Sequence, residues 1–398
     1  MSTLVITALN PTESVTAGFL PAAARLGLDV TVLTDDPEAH RRTYRGTPIE
    51  GTRVAGCQVR DRRALISRIA EDGIPDAVFS NSDHLQEVTA LAAGYFGLHG
   101  KDWTVAMRAK DKFLTRHHLA TLGIDEVRTA VIHPDTPTST VAVPFPAVLK
   151  PRYGVASEHV YLVRHSGDLA ERIESLRVGD PEVNLVAEEY LPGPLHTLET
   201  LGDGERLRVL GGFRTRLSPP PYFVEERLDW YPALPRLVRQ SVLDQLAALG
   251  IGFGACHTEF VVQGDEARLI EVNYRLIGDL CDFSLAELLG EPLFDQVLRV
   301  HLGERLGRPV PAPRPRHARI EYVCAKRSGL LRSAPPHTVH EGPVRLTYQP
   351  LRRVGDAVTL SHTNRDYLGV VRGVADDATA VDRAVEEFLA TRRWEVVP

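Results

Sequence analysis

The first hundred residues alternate between short apolar runs typical of buried strands and longer stretches with apolar residues at helical spacing. The strands are expected at residues 4–9, 29–34 and 76–80, and the helices at residues 16–26, 62–72 and 84–96. Strands separated by helices form βαβ units, which require a parallel sheet. Asn81, Ser82 and Asp83 then follow a strand at the edge where open α/β sheets bind ligands, although these residues also suit a helix N-terminus.

The pattern changes after a connecting helix predicted at residues 101–123. Strands are expected at residues 129–133, 147–150, 160–163 and 184–189, a strand pair at 199–213, and a helix at 241–249. A hairpin follows at residues 257–263 and 267–273, then one or two helices at 284–301. The proline-rich residues 307–315 indicate a linker. Strands at residues 318–326, 345–348 and 367–372 and a helix at 379–391 predict a small C-terminal α+β module.

Length, charge and cysteine content restrict the classes of protein. A chain of 398 residues is too long for one ordinary core, so two or three domains are expected. The formal net charge of −6 disfavours nucleic acid as a partner. Four scattered cysteines without a C-x-x-C pair fit a reducing compartment better than disulfides or zinc. With no signal-peptide pattern and no membrane-spanning apolar run, the sequence predicts a cytoplasmic protein without membrane contacts.

The strongest chemical signal is the hairpin sequence CHTEFVVQGDEARLIEVNYR. Glu271 and Asn273 lie two residues apart in its second strand, so their side chains share a face, and the hairpin brings Glu259 across from them. Two carboxylates on one face repel unless a cation neutralises them, and carboxylate and amide oxygens suit Mg²⁺ completed by phosphate oxygens. The alternative is a solvent-facing polar strand, which the apolar residues on either side argue against.

Three further segments are consistent with a nucleotide site. Arg275 continues the face of Asn273 and suits a carboxylate or a transferring phosphoryl group, unless it forms a salt bridge with Glu271. Lys150 ends a strand and precedes a small-residue loop that can close over phosphates, although a β-turn beside an exposed lysine has the same pattern. The strand before Tyr190 leaves backbone groups free to pair with an adenine edge, although a polar strand end before a Pro-Gly turn looks similar.

Two common nucleotide-binding patterns are absent or misplaced. The chain has no G-x-x-x-x-G-K-[ST] sequence. Residues 250–255, GIGFGA, approach the dinucleotide fingerprint, but they follow a helix and open a strand, which is the wrong order for a phosphate-binding turn. The first βα turn, at residues 8–14, also lacks glycine. These features argue against a P-loop protein and against a Rossmann oxidoreductase.

The loop after Lys150, the strand before Tyr190 and the hairpin occur in the order found in the ATP-grasp superfamily, which the chain resembles over nearly its whole length. The resemblance implies an α/β and α+β fold in which two subdomains hold ATP between them. It implies a Rossmann-like N-terminal (pre-ATP-grasp) domain at residues 1–105, an ATP-grasp small subdomain with linker helix at 106–185, a large subdomain at 186–306 and a C-terminal α+β module at 316–398. The run from Asn273 to Gly278 resembles the amino-acid ligase branch, and Asp279, where a second small residue is common, is expected to contact a substrate amine or hydroxyl.

The resemblance also implies roles for individual residues. The magnesium ligands are Glu259, Glu271 and Asn273, and the catalytic residues are Arg275 and Lys150. The nucleotide contacts are Lys112 and Lys150 at the phosphates, Ser157 in a mobile loop at residues 152–158, Glu188, Glu189, Tyr190 and Leu191 at the adenine hinge, and Glu199 near the ribose. The roles of Arg214, Arg216, His196 and His257 stay open.

These implications favour an ATP-dependent carboxylate–amine ligase that forms an amide through an acyl phosphate. ATP and Mg²⁺ are the expected cofactors, and a small-molecule carboxylate and amine are the expected substrates, in dipeptide, siderophore or other specialised-metabolite biosynthesis. A homodimer is suggested by the resemblance alone. The alternatives are an ATP-grasp enzyme with another acceptor, such as a carboxylase or an ester-forming ligase, a non-catalytic nucleotide-binding protein, and a Rossmann oxidoreductase.

Overall fold

The N-terminal region forms a four-stranded parallel sheet, as predicted. The structure, a computed structural model, describes residues 2–308 and 316–398. Across this sheet the strands are Arg53–Gly56, Asp29–Thr34, Thr3–Thr7 and Ala77–Phe79. The helices are Ser14–Phe19 continuing into Leu20–Arg25, Pro37–Tyr44, Arg62–Asp72 and Gln86–Tyr95. The edge strand Arg53–Gly56 and the helix Pro37–Tyr44 were not predicted, because the strand is short and only Val54 in it is buried.

The connecting segment is two helices, so the prediction of one helix at residues 101–123 is wrong. The helices are Trp103–Lys110 and Lys112–Thr121. Asp111 separates them in an extended conformation, and its carboxylate accepts the backbone N–H groups of Phe113 and Leu114 at 3.0 and 3.1 Å. An aspartate that caps a helix N-terminus favours a new start over continuation. This break places Lys112 in the first turn of the second helix.

A four-stranded antiparallel sheet lies between Thr129 and Glu189, and we call this region the small subdomain. Its strands run in the order Thr129–Ile132, Leu185–Glu189, Ala147–Pro151 and Tyr161–Val163, which confirms all four predicted strands. The helix Ser166–Gly179 covers this sheet and was not predicted. Its apolar face is narrow, with only Leu169 and Ile173 buried, so the periodic signal is weak.

A ten-stranded sheet forms the body of the molecule. Its strands, in order across the sheet, are Glu266–Asn273, Phe253–Gln263, Leu195–Asp203, Phe213–Leu217, Glu225–Trp230, His317–Cys324, Tyr367–Ala375, Arg345–Pro350 and Thr338–His340, and Leu207–Gly211 pairs separately with Leu195–Asp203. The helices beside it are Arg236–Leu249, Cys281–Leu289, Leu293–His301 and Ala378–Thr391. The hairpin is confirmed, and the strand pair expected at residues 199–213 is the antiparallel pair Leu195–Asp203 and Leu207–Gly211, after which a further strand begins at Phe213.

The C-terminal strands continue this sheet and do not stand apart from it. His317–Cys324 pairs antiparallel with Glu225–Trp230. A separate three-stranded sheet consists of Ala357–Val358, Gly329–Ser333 and Glu395–Val397. Of the predicted linker, residues 309–315 lie outside the described part of the chain. Because the two strand sets are hydrogen-bonded neighbours, the C-terminal segment has a fixed position beside the large subdomain.

One apolar core joins the N-terminal domain to the large sheet and to the C-terminal strands. It includes Ile6 and Phe19 from the N-terminal domain, Leu201 from the large subdomain and Ile320 from the C-terminal region, each at most 1% exposed. Phe294 packs edge-on against Phe19 with ring centroids 5.1 Å apart. Among the described residues, no helix is long and apolar enough to cross a membrane. The shared core fixes the position of the N-terminal domain beside the hairpin.

Candidate functional site

The hairpin brings the two predicted carboxylates together. Glu259 lies directly opposite Glu271 in the antiparallel register, and His257 lies opposite Asn273. Residues opposite each other on antiparallel strands project to the same side, so these four side chains share one face. Asn273 is 5% exposed. The prediction that Glu259, Glu271 and Asn273 share one face of the hairpin is therefore confirmed.

Lys112 supplies a positive charge at this carboxylate pair. Its Nζ lies 3.0 Å from Oε1 of Glu271 and donates a second hydrogen bond of 3.0 Å to the carbonyl of Gly154 in the predicted mobile loop. Burial alone would lower the pKa of Lys112, but the neighbouring Glu271 carboxylate outweighs it and the pKa is raised. Lys112 therefore stays charged and connects the hairpin to the loop.

A second buried charge cluster surrounds Glu188. Arg116 binds its carboxylate through two hydrogen bonds of 3.1 Å each, and Nζ of Lys150 lies 2.7 Å from Oε2. Burial would raise the pKa of Glu188, but the two cations outweigh it and lower the pKa to about 2. Burial lowers the pKa of Lys150 in spite of Glu188, with Arg116 and Lys112 adding to the effect. Arg116 therefore contacts both carboxylate oxygens of Glu188, and Lys150 contacts one of them.

Glu188 is predicted to contact the nucleotide, and it lines the larger of the two cavities described below. Its carboxylate is bound by Arg116 and Lys150, so it also positions Lys150. Glu189 is also engaged, since its carboxylate accepts the backbone N–H of Arg128 at 3.2 Å. In the described part of the chain, the backbone N–H of Leu191 has no hydrogen-bond partner, whereas that of Tyr190 bonds to Pro146. At the hinge, the free backbone group belongs to Leu191.

The two subdomains enclose a cavity of about 550 Å³. Most of the predicted nucleotide and metal residues line it, namely Lys112, Lys150, Ser157, Glu188, Glu189, Tyr190, Leu191, Glu259 and Glu271. The loop at residues 152–158 covers one side, with Ala156 and Ser157 at positive φ values of 56° and 54°. Residues scattered over 160 positions of sequence therefore meet around one enclosed space.

A second cavity of about 370 Å³ lies between the N-terminal domain, the hairpin and the C-terminal region. Asn273, Arg275 and Asp279 line it, together with Asn81 and the first βα turn. The two cavities share a set of lining residues, which are Val155, Ser157, Glu225, Glu259 and Glu271. The carboxylate pair of the hairpin therefore stands where the two cavities meet.

Arg275 is directed by the N-terminal domain and does not neutralise the hairpin. Its guanidinium donates to the carbonyl of Leu276 at 2.7 Å, and Oδ1 of Asn81 accepts the N–H of Leu276 at 3.1 Å. In the described residues Arg275 makes no ion pair with Glu271, which Lys112 binds instead. The alternative of a neutralising salt bridge is therefore wrong. Asn81 belongs to the loop after the strand Ala77–Phe79, which the sequence predicts to be a ligand-binding or helix-capping segment. Its hydrogen bond to Leu276 fixes the chain just after the hairpin, where Arg275 lies.

Glu199 lies beside the hairpin and lines neither of the two cavities. It is 1% exposed, and its carboxylate accepts hydrogen bonds from Thr197 Oγ1 at 2.8 Å and from Nδ1 of His257 at 2.8 Å. The other ring nitrogen of His257 lies 3.3 Å from Oε1 of Glu259. Burial would lower the pKa of His257, but Glu199 and then Glu259 raise it to about 10. The ribose role of Glu199 stays a prediction, and in the structure its carboxylate supports His257, a residue whose role the sequence left open.

The other residues left open have different surroundings. Arg216 is paired with Glu321 at 2.8 Å, so its charge is compensated. Arg214 lines the larger cavity and forms no ion pair within the described residues. His196 is 6% exposed and stacks on Phe260 with ring centroids 6.0 Å apart. Arg214 and Arg216 both line the larger cavity, and of the two only Arg216 is in an ion pair among the described residues.

The residues at the junction fit a magnesium ion bound with phosphates. The second oxygens of Glu259 and Glu271 and the side chain of Asn273 have no protein partner in the described residues, so three oxygen donors are open on one face. No group of three His, Cys, Asp or Glu arranged for a metal occurs in the described ranges. Two carboxylates and an amide oxygen form an incomplete shell, and Mg²⁺ commonly completes such a shell with phosphate oxygens and water.

Comparison with known proteins supports the fold. No family model matches the chain. It is 27% identical to Uncharacterized protein y4rH of Sinorhizobium fredii over 96% of this chain and 80% of that protein. It is also 27% identical to Carnosine synthase 1 of Gallus gallus, over 78% of this chain but only 36% of the chicken protein.

Solved structures superpose over the whole chain. The L-amino acid ligase of Bacillus licheniformis matches with a TM-score of 0.82 at 21% identity, covering 100% of this chain and 99% of that one. N5-carboxyaminoimidazole synthetase of Staphylococcus aureus, complexed with ADP, matches with a TM-score of 0.66 at 13% identity, covering 98% and 96%. These are ATP-grasp proteins. The chain therefore has the fold of these two proteins.

Proposed function

We propose that this protein is an ATP-dependent ligase that activates a carboxylate as an acyl phosphate and joins it to an amine. One observation carries the proposal: Glu259 and Glu271 line both cavities, so a phosphoryl group held in one cavity faces a substrate held in the other. A protein that only bound a nucleotide would not need a second cavity beside Glu259 and Glu271. The two cavities meeting at a carboxylate pair favour phosphoryl transfer between two bound molecules.

ATP is proposed to occupy the larger cavity. The free N–H of Leu191 pairs with the adenine edge, and Lys112 and Lys150 approach the phosphates from the walls. The loop at residues 152–158 lies over the phosphates with Ser157 facing both cavities. Enclosure by a loop excludes water and strengthens the electrostatic interactions within the site.

Glu259, Glu271 and Asn273 would hold Mg²⁺ at the junction. When bound, the ion offsets negative charge on the phosphates of ATP. His257 and Glu199 fix the orientation of Glu259, and Lys112 fixes that of Glu271. The hairpin register thus presents the open oxygens without further rearrangement.

The acid substrate is proposed to bind in the smaller cavity beside Arg275. One of its carboxylate oxygens attacks the γ-phosphorus of ATP, ADP leaves, and the acyl phosphate remains between Arg275 and Lys112. The amine then attacks the acyl carbon, phosphate leaves, and the amine nitrogen loses a proton. Arg275 and the lysines stabilise charge that is greatest during transfer, which is how fixed cations accelerate phosphoryl transfer.

The named relatives support the substrate class in part. Both an L-amino acid ligase and a carnosine synthase are similar to the chain, so amino acids or related small molecules are the proposed acid and amine. Synthesis of a dipeptide, a siderophore or another specialised metabolite, a cytoplasmic location and a homodimer belong to the same proposal. The four domain boundaries of the sequence analysis are proposed with it.

The test is release of ADP across a matrix of amino acids, hydroxy acids and polyacids as acids and amines. Hydroxylamine traps the activated acid as a hydroxamate, which separates an organic acid from bicarbonate or a hydroxyl acceptor. Glu271→Gln should reduce ADP release at least 100-fold with the best pair. Glu266→Gln is the matched control, because Glu266 lies exposed on the same strand. Full ADP release by Glu271→Gln, or no hydroxamate with any acid while ADP is released, would refute the proposed ligase.

A further inference from the structure

We propose that the C-terminal turn at residues 363–366 is a latch that holds the phosphate-covering loop closed, with Arg365 and Asn364 as its positioning residues. The inference rests on the proposed function for its consequence, because the loop is taken to cover ATP. Its structural basis is a set of contacts between segments about 200 residues apart in sequence. Neither Asn364 nor Arg365 is a candidate in the sequence analysis.

Two contacts join the turn to the loop. The guanidinium of Arg365 pairs with the carboxylate of Glu158. The backbone N–H of Asn364 donates to the carbonyl of Ala156 at 3.1 Å. Within the loop, Ala156 and Ser157 have positive φ. This conformation is unfavourable for residues other than glycine, so neighbouring contacts must maintain it. The turn therefore contacts the loop where its backbone conformation is least favourable.

The turn itself is rigid. The Thr363 hydroxyl accepts the N–H of Arg365 at 3.1 Å, and the carboxylate of Asp366 accepts the N–H of Thr363 at 3.3 Å. Ser361 donates to the same carboxylate through its backbone N–H and its hydroxyl at 2.9 and 2.7 Å. Thr363 and Asp366 are 5% and 4% exposed. Arg365 and Asn364 are thus held in position before they meet the loop.

The same turn also contacts the substrate side of the site. Oδ1 of Asn364 accepts the backbone N–H of Glu225 at 3.1 Å, and the hydroxyl of Tyr367 donates to the Glu225 carbonyl at 2.8 Å. Glu225 lines both cavities. One asparagine therefore bonds simultaneously to the loop over the nucleotide cavity and to the strand that borders the second cavity.

A second set of contacts holds the same closure beside the turn. The backbone N–H of Leu162, on the strand after the loop, donates to the carbonyl of Pro221 at 2.9 Å. Tyr222 stacks on His362 with ring centroids 4.1 Å apart and planes at 4°. These contacts align the small subdomain with the C-terminal segment, and Arg365 provides the contact that one substitution can remove without disturbing a core.

The consequence concerns water. A loop that opens while the acyl phosphate is present admits water, which hydrolyses the intermediate and releases ADP without product. Arg365 is 61% exposed and Glu158 is 31% exposed, and ion pairs of such exposure contribute little individually. The latch should therefore change the population of the open loop by a modest factor, about two- to fivefold.

The decisive measurement is hydrogen exchange of the backbone amides at residues 153–162, followed by mass spectrometry on the nucleotide-free protein. Arg365→Gln and Glu158→Gln should each accelerate exchange of this segment about two- to fivefold, and the double variant should not exceed either one. Arg353→Gln is the matched control, because Arg353 is exposed in the same region and its side chain makes no hydrogen bond or ion pair among the described residues. With an active substrate pair, the ratio of ADP released to amide formed should rise in Arg365→Gln and not in Arg353→Gln.

The latch is overturned by unchanged exchange in Arg365→Gln, by equal acceleration in Arg353→Gln, or by additive effects in the double variant. A constant ratio of ADP to amide in a variant whose loop exchanges faster also overturns it. Failure of the proposed function is a separate result. If the wild-type protein forms no amide with any pair, that function falls, and the exchange data alone decide the latch.

Discussion

Replacing Glu188 with glutamine tests the buried charge cluster that positions Lys150. The substitution keeps the size of the side chain and removes its negative charge. Arg116 and Lys150 would then remain buried with one uncharged partner between them. Removing one member of a buried ion pair is costly because it leaves charge without compensation in a low-dielectric interior.

The magnitude follows from the acidity of the carboxyl group. In the folded protein its pKa falls from an ordinary 4.5 to about 2, because Arg116 and Lys150 outweigh the opposing effect of burial. A tenfold change in acidity corresponds to about 1.4 kcal/mol, so ionised Glu188 contributes roughly 3 kcal/mol to the free energy of unfolding at neutral pH. Breaking buried pairs in other proteins costs about 3–5 kcal/mol, which agrees. For a chain of 398 residues the unfolding entropy is about 0.8 kcal/mol/K, so a loss of this size should lower Tm by about 4 °C.

The assay is calorimetric unfolding of wild type and Glu188→Gln from pH 7 downwards. A carboxyl group whose pKa is lowered by folding stabilises the protein above its unfolded pKa and loses that contribution as the pH falls through the folded value. The difference in stability between the two proteins should therefore be largest at neutral pH, narrow below about pH 4.5 and be nearly gone by about pH 2. Glu189→Gln is the control, since its partner Arg128 is 70% exposed and a pair of this kind contributes about 0–1 kcal/mol.

Two results would refute this reasoning. Glu188→Gln as stable as wild type at pH 7 would show that the two cations do not depend on this carboxylate. A difference that persists unchanged at low pH would show that the loss arises from packing and not from charge.

Two further predictions concern the nucleotide cavity and the large sheet. Lys150→Met should weaken ADP binding about 10- to 100-fold by calorimetric titration, because a charge-assisted hydrogen bond contributes about 1.5–3 kcal/mol, and the exposed Lys326→Met should bind normally. Equal affinity in both variants would contradict a phosphate contact by Lys150. Gly212→Ala should lower the free energy of unfolding by about 1–3 kcal/mol, because the added Cβ would lie 2.0 Å from the carbonyl of Thr197, whereas Gly252→Ala meets open space. Equal unfolding temperatures for the two alanine variants would contradict this steric argument.

The features that sequence predicts well are those encoded over short distances. The alternation of side chains and the Gly264-Asp265 turn set the hairpin register. The sequence alone therefore predicts that Glu259, Glu271 and Asn273 lie on one face. The four strands of the small subdomain are confirmed for the same reason, because their apolar residues form short local runs. The wrong prediction of one helix at residues 101–123 also concerns a local feature, because Asp111 caps the N-terminus of a second helix.

Long-range contacts were decided by the tertiary structure alone. Packing of the strand that carries Glu199 beside the hairpin places its carboxylate against His257, 58 residues away. The carboxylate of Glu188 meets Arg116 across 72 residues, and Arg365 meets Glu158 across 207.

By itself, the sequence determined the order of motifs that resembles the ATP-grasp superfamily and the residue types of the proposed magnesium and phosphate site. The tertiary structure determined that two cavities share Glu259 and Glu271, that Asn81 of the N-terminal domain supports the end of the hairpin, and that the C-terminal strands continue the large sheet. The physical reason is that backbone periodicity and turns specify neighbours within a strand pair. Which carboxylate meets which cation depends on the core that brings distant elements together, and no local pattern records that packing.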